Sequence, residues 1–331
     1  MRQISLCFIG CGGHAHRVYA DSLKKYNLMN EEVRLVACCD VNKEKADSFQ
    51  AAVGFAKGYT DFRIMLEQER PDAVILATPF QYTAQVAVAV IDFGCHIMME
   101  KPPGKDFDEA LAIADAVKRK SPINMVAFNR RNAPMVKKLM ELLYGDNPLR
   151  VQHIDYQMYR YDRREAHFHT TAIHGIDMIG HIARSPYERL HIEYAQQKQY
   201  GEGAENLLLQ GCFQNGITTQ QSYCPLSGLI MERLTIAADD MTLYAETPIW
   251  HGPDFPGVIK VYSKGVLTQV ISGNELSSGQ TLFETDGFYD QLREFLDCVK
   301  QNRPCANDIY SALGSAKIAD CLGAHRTAYQ G

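Results

Sequence analysis

A glycine-rich turn, Gly10-Cys11-Gly12-Gly13-His14-Ala15, directly follows the apolar run Ile4–Ile9, and it constrains the fold more than any other segment. It has the form G-x-G-x-x-A, with a strand-like run before it and a helical pattern over 15–26 after it. Gly10 permits a tight turn after the strand. Gly12 lets the backbone approach a pyrophosphate, and Ala15 lets helix and strand pack closely. Free first-turn N–H groups and the positive end of the helix dipole would face the anion. Gly10, Cys11, Gly12, Gly13 and His14 are therefore expected to contact a dinucleotide.

The chain around this turn repeats one grammar. Short apolar runs at Val33–Cys39, near Tyr59, at 73–77, 95–99 and 123–128 alternate with helical patterns at Lys43–Val53, 61–68, 81–92 and 107–118. That alternation predicts βαβ units and a parallel sheet. Asn42 and Asp106 are good N-cap residues, because their side chains accept from free first-turn N–H groups. After Asn129 the grammar changes. A helix over 134–143 and a turn at Gly145-Asp146-Asn147-Pro148 lead to a long strand over 149–159 and a helix over 171–182. Short alternating segments then run from about 190 to 270 and predict an antiparallel, half-exposed sheet. Two helices, over 288–300 and 309–321, close the chain. The loosest stretch, 248–256, holds the only tryptophan, Trp250.

Several residues on this frame carry chemistry. Asp40 ends the second strand, where a carboxylate accepts from ribose hydroxyls and repels a 2′-phosphate. NAD is therefore expected over NADP, with Lys43 close enough to soften that discrimination. Thr78-Pro79 ends the fourth strand and would turn backbone groups toward the ribose or nicotinamide. Glu100-Lys101-Pro102-Pro103 follows the fifth strand. A lysine at the carboxyl end of a strand faces the crevice where ligands collect in open α/β sheets. There it can take a proton from an alcohol while a nicotinamide takes the hydride. His174 and Asp177 are three apart and share a helical face; a histidine relays protons near neutral pH. The spacing of His167, His169 and His174 argues against a metal site.

Composition adds exclusions. A net charge of −5 gives no general attraction to nucleic acid or anionic membrane. No apolar run approaches the ~18–20 residues that span a bilayer. Met1-Arg2-Gln3 leads straight into the first strand, without the apolar stretch and small-residue site of a secretory signal. The 10 cysteines are scattered with no Cys-x-x-Cys pair. Reduced thiols and a cytoplasmic location are expected.

Taken together, Gly10–Ala15, Asp40, Ala77-Thr78-Pro79, Glu100-Lys101-Pro102, Asn129-Arg130-Arg131 and His174-Gly175-Ile176-Asp177 resemble the glucose–fructose oxidoreductase / inositol dehydrogenase / MocA family. Their order and spacing match along the whole chain. The resemblance implies an α/β protein: an N-terminal Rossmann domain and a C-terminal α/β domain with a large open, mainly antiparallel sheet. It implies a dinucleotide-binding domain at 1–127 joined by a returning helix at 306–331. The domain at 128–305 would bind substrate and form oligomers. It implies Lys101 and His174 as catalytic residues and a cis peptide before Pro102. Asp177, Thr170 and Arg160 are expected at the substrate. Tyr82, Glu100 and Asn129 join Thr78, Pro79, Lys101 and the glycine loop at the cofactor.

Two positions depart from the family pattern. Thr170 stands where inositol dehydrogenases often carry an aspartate, which leaves His169 or His167 as possible relays. Phe80-Gln81-Tyr82 replaces a common N-x-x-H turn. The reading is an NAD(H)-dependent oxidoreductase acting on a hydroxyl or carbonyl of a sugar, cyclitol or related polyol, and a homodimer or homotetramer through the open sheet. Its alternatives are a glycosidase that uses NAD for transient oxidation and a redox-silent nucleotide or sugar sensor.

Overall fold

The computed structural model describes residues 3–29, 32–164, 167–201, 204–277 and 279–331. In chain order the strands are β1 Ile4–Ile9, β2 Val33–Cys39, β3 Lys57–Tyr59, β4 Ala73–Leu76, β5 His96–Glu100, β6 Asn124–Ala127, β7 Val151–Tyr159 and β8 Tyr187–Gln196. They continue with β9 Glu205–Phe213, β10 Thr218–Cys224, β11 Met231–Ala238, β12 Met241–Thr247, β13 Val258–Ser263, β14 Val266–Ser272 and β15 Ala328–Gln330. The α-helices are α1 Asp21–Met29, α2 Lys43–Val53, α3 Phe62–Glu69, α4 Phe80–Phe93, α5 Phe107–Lys120, α6 Pro134–Tyr144, α7 His169–Ala183, α8 Leu282–Thr285, α9 Phe288–Gln301 and α10 Ile309–Gly323.

Two compact units result. The first comprises residues up to 128 together with 288–316, and the second comprises 129–287 together with 317–331. This differs from the sequence expectation at the C-terminal end. Helix α9 belongs to the first unit, and the chain after 316 belongs to the second, because β15 pairs antiparallel with β8.

The first unit holds a six-stranded sheet in the order β3-β2-β1-β4-β5-β6, its neighbouring strands paired in parallel. Its strands are nearly continuous apolar runs, and β1, β4 and β6 are buried at every position, as a sheet covered on both faces requires. The chain order reverses between β1 and β4. That switch point opens a crevice at the carboxyl ends of the two strands. Caps fix the helices that frame it. Asn42 accepts from the Lys45 N–H, and Asp106 accepts from the Glu109 N–H.

The second unit holds a nine-stranded sheet in the order β14-β13-β12-β11-β7-β10-β9-β8-β15. It is antiparallel except where β10 runs parallel to β7. Along β11, Glu232, Leu234 and Ile236 are buried while the residues between them are half exposed, so alternation sets one face inward. That face packs with α6 and α7 through Val136, Leu139, Ile176 and Ile179 against Ile154, Leu209, Leu234 and Ile259. Among the described residues no helix is long and apolar enough to cross a membrane.

Candidate functional site

The glycine loop carries the clearest signature. Gly10 has φ +96°, and a Cβ there would lie 2.5 Å from the Ala77 carbonyl oxygen and 2.9 Å from the Thr78 nitrogen. Only glycine fits, and the crowding shows how tightly the turn after β1 approaches the turn after β4. Gly12 and Gly13 are the opposite case: a Cβ on either would meet nothing within 4 Å. Their backbone borders open space, as a cradle for a pyrophosphate requires. The chain then enters a π-helical turn, Ala15–Ala20, before α1. π-turns are rare and often occur at functional sites.

Asp40 sits beside this loop. Its Oδ2 accepts from the Cys11 N–H at 2.9 Å and its Oδ1 from the Asn42 N–H at 2.9 Å. The carboxylate is thus fixed at the end of β2. Lys43 does not counter it: its ammonium lies 2.6 and 2.9 Å from the two carboxylate oxygens of Asp47, one turn along α2. Pro79 occupies the N-cap of α4, and Tyr82 is exposed on its first turn. The Thr78 hydroxyl lies 3.4 Å from that of Thr83.

Glu100 and Lys101 follow from β5. The peptide between Lys101 and Pro102 is cis, as the resemblance implies. Glu100 is buried, and its Oε1 lies 3.1 Å from Nε2 of His14 and 2.6 Å from the Tyr19 hydroxyl, which donates to it. Burial pushes the Glu100 carboxyl up. The nearby His14, hydrogen bonds from His14 and Tyr19, and Lys101 outweigh burial and hold it below the usual carboxylate value. His14, Asp40, Thr78, Glu100 and Lys101 all belong to the first unit.

The second unit carries the other expected residues on α7 and on the segment after β6. His174 is half-buried on α7. The Thr170 hydroxyl donates to the His167 carbonyl at 2.8 Å, a local helix-start contact. His169 packs against Gly323, whose added Cβ would lie 3.3 Å from the ring. Burial, with His167 and His325 nearby, lowers its pKa to about 4 against the opposing pull of Asp320. His169 is therefore neutral at physiological pH.

Three sequence expectations are corrected here. Arg160 does not face a ligand: its side chain is 4% exposed and is ion-paired with Glu232. Asp177 is 1% exposed and takes two contacts from Arg131, Nε–Oδ2 at 2.7 Å and Nη2–Oδ1 at 2.5 Å. Asn129 is buried, and its Nδ2 donates to the Asp286 carbonyl at 2.7 Å. In each case the polar group is spent inside the second unit.

Sequence reasoning missed the centre that organises these contacts. Glu232 lies between Arg130 and Arg160, with Arg130 Nε 2.7 Å from its Oε2. Burial would raise its pKa, but the two arginines bring it down to about 2. The signal was present, because Glu232 occupies an inward position of β11 in register with Leu234 and Ile236. Tyr156 beside this centre is part of the core. It meets Tyr223 edge-on at 5.7 Å and fills the space over Gly175.

Fold, switch point and glycine loop define the first unit as a dinucleotide-binding domain of the Rossmann class. Residues 4–128 match the family model described as oxidoreductase family, NAD-binding Rossmann fold. The match covers this first unit alone, and it likens that unit to the glucose–fructose oxidoreductase / inositol dehydrogenase / MocA family. Levoglucosan dehydrogenase of Pseudarthrobacter phenanthrenivorans is 36% identical over 105 residues, covering 31% of this chain and 27% of that protein. D-glucoside 3-dehydrogenase of Escherichia coli is 27% identical over 138 residues, covering 42% and 38%. The matches thus span less than half the length of either relative. In fold the likeness extends further. An oxidoreductase from Agrobacterium radiobacter, solved in complex with NAD+, L-tartaric acid and magnesium, superposes with a TM-score of 0.82 at 14% identity, covering 99% of this chain and 98% of that one.

Proposed function

We propose that this protein is an NAD(H)-dependent oxidoreductase that interconverts a hydroxyl and a carbonyl on a sugar, cyclitol or related polyol. The observation that carries the reading is Lys101. It stands immediately past the carboxyl end of β5, in the same sheet whose β1 runs into the open glycine cradle. The relatives named above, dehydrogenases of levoglucosan and of a D-glucoside, support the substrate class.

The cradle of Gly10, Gly12 and Gly13 and the fixed carboxylate of Asp40 would hold the dinucleotide. Asp40 would repel a 2′-phosphate, so NAD is favoured over NADP. Thr78, Pro79 and Tyr82 would border the nucleoside. Bound nicotinamide supplies the hydride acceptor in oxidation and the donor in reduction. Lys101 takes the hydroxyl proton in oxidation as the neutral amine and returns it in reduction as the ammonium. His174 is assigned the second contact to the reacting oxygen, and Thr170 a polar contact to substrate. His169 is kept neutral by burial, which disfavours the imidazolium a relay would pass through.

Half-exposed Tyr244 and Tyr262 and exposed Leu267 on the outward side of the nine-stranded sheet support a homodimer or homotetramer through that sheet. Ten free cysteines, nine of them buried, support a reducing compartment such as the cytoplasm.

The deciding experiment is a screen for NAD+ reduction across sugars, inositols and sugar acids, with titration calorimetry of NAD+ and NADP+. A protein that binds NAD+ but reduces it with no member of the panel refutes the dehydrogenase reading. Equal or tighter NADP+ binding refutes the role given to Asp40.

A further inference from the structure

The Glu100 carboxylate is in an unusual position. It ends a strand whose neighbouring side chains, Met98 and Met99, are fully buried, and its own side chain is 10% exposed. Burying a carboxylate costs free energy unless donors compensate it, and for packing alone an apolar side chain would serve as well or better. Both compensating donors come from the cofactor side. His14 is in the glycine loop, and Tyr19 is in the π-helical turn that follows it. They converge on the same oxygen, Oε1. An ionised carboxylate only accepts, so the His14 ring must carry its proton on Nε2. Edge contacts hold the ring in place, with Phe288 at 6.0 Å and Tyr19 at 6.2 Å between centroids. The next residue after Glu100 is Lys101.

We propose that Glu100 is a positioning residue that clamps the glycine loop, through His14 and Tyr19, to the strand end bearing Lys101, so that dinucleotide binding depends on this one carboxylate being matched. The inference rests on the reading that the glycine loop binds NAD(H). Its physical core is charge. The helix start beside the loop attracts anions. A carboxylate in the same place competes with the dinucleotide phosphates unless its charge is taken up by its own donors. His14 and Tyr19 do this while tying loop to strand. Removing His14 leaves Glu100 under-compensated and facing the loop. Removing the Glu100 charge as well relieves that penalty.

The test is a double-mutant cycle on NADH affinity, read by the fluorescence of bound NADH, with the melting temperature of each variant measured in parallel. His14→Ala is expected to weaken NADH binding about tenfold or more while leaving the melting temperature within a few degrees of wild type. Glu100→Gln, which keeps an acceptor and removes the charge, is expected to cost only a few-fold. The double variant His14→Ala/Glu100→Gln should bind no worse than His14→Ala alone, because the two losses share one interaction. His14→Gln, whose amide can still donate to the carboxylate, should recover most of the affinity. Additive losses in the cycle, or wild-type affinity in His14→Ala, overturn the clamp while leaving NADH binding itself in place. A wild-type protein that does not bind NADH overturns both the clamp and the dinucleotide reading beneath it.

Discussion

Arg131 and Asp177 face each other as a two-point ion pair, Nε to Oδ2 at 2.7 Å and Nη2 to Oδ1 at 2.5 Å, with both side chains nearly sealed from solvent. The pair joins the 3₁₀ turn Asn129–Asn132 to α7, and so fixes the helix that carries His174. Its neighbour Arg130 reaches the other way, to Glu232 on β11. One short segment thus anchors a helix and a sheet through consecutive arginines.

Breaking that pair should therefore damage the fold of the second unit rather than substrate binding alone. Removing one partner of a buried pair leaves an uncompensated charge and costs about 3–5 kcal/mol. Asp177→Asn or Arg131→Met should lower the melting temperature by on the order of 10 °C for a unit of this size. The combined Asp177→Asn/Arg131→Met variant should recover part of the loss. Thermal denaturation of the three variants decides. Wild-type stability in Asp177→Asn would return Asp177 to the role of a ligand contact.

Asp286 gives a pH signature. It is buried, and burial raises its carboxyl pKa to about 7 despite the Trp250 N–H, Arg130 and the Thr285 hydroxyl, with Glu232 adding to the rise. The folded pKa exceeds the unfolded value of 3.8. The folded form therefore holds the proton more tightly, and the associated stability is complete below about 3.8 and lost as pH rises through about 7. Relative to Asp286→Asn, wild type should lose on the order of a few kcal/mol between pH 4 and 8. Urea unfolding followed by tryptophan fluorescence reads this directly, since Trp250 is the only tryptophan and its backbone N–H donates to Asp286. Parallel pH profiles for the two proteins would remove Asp286 as the source.

The sequence was informative wherever local chemistry decides structure. The βαβ alternation, the caps at Asn42 and Asp106, and the bounds of β1, β2 and α2 follow from apolar runs and hydrogen-bonding side chains a few residues apart. The positions of Asp40 and Lys101 were legible for the same reason, because each is the residue just past a strand. Partners distant in sequence were not legible. Arg160 and Glu232 are 72 residues apart, and Arg131 and Asp177 are 46 apart. An arginine in a polar stretch looks the same whether it awaits a ligand or a buried carboxylate. Only the sheet register, with Glu232 opposite Met158, brings the carboxylate next to Arg160.

Lys101 separates chemistry from binding. General acid–base catalysis contributes typically ~10²–10⁴-fold, so Lys101→Met should reduce turnover of any polyol found in the substrate screen by that order. NADH affinity should stay within a few-fold, because the proposed main contacts come from the loop backbone and Asp40. His174→Ala should lose less than Lys101→Met, since solvent can replace part of its role. Steady-state rates and NADH titrations of both variants check this. Turnover in Lys101→Met within a few-fold of wild type would remove it as the proton acceptor.

Gly10 and Gly12 of the loop separate folding from cofactor binding more cleanly still. At Gly10 an added methyl meets the Ala77 carbonyl at 2.5 Å with the backbone at φ +96°, so both sterics and conformation oppose it. Gly10→Ala should lower the melting temperature, with loss of NADH binding as a consequence. At Gly12 the same methyl meets nothing within 4 Å. Gly12→Ala should therefore melt within a few degrees of wild type, and slightly higher if the reduced freedom of the unfolded chain dominates. Yet its methyl would project into the space where the backbone must approach the pyrophosphate, so NADH affinity should fall at least tenfold. Melting curves and NADH titrations of both variants make a two-by-two comparison. A Gly12→Ala protein that keeps wild-type stability and wild-type affinity would mean that the dinucleotide does not enter the cradle formed by this loop.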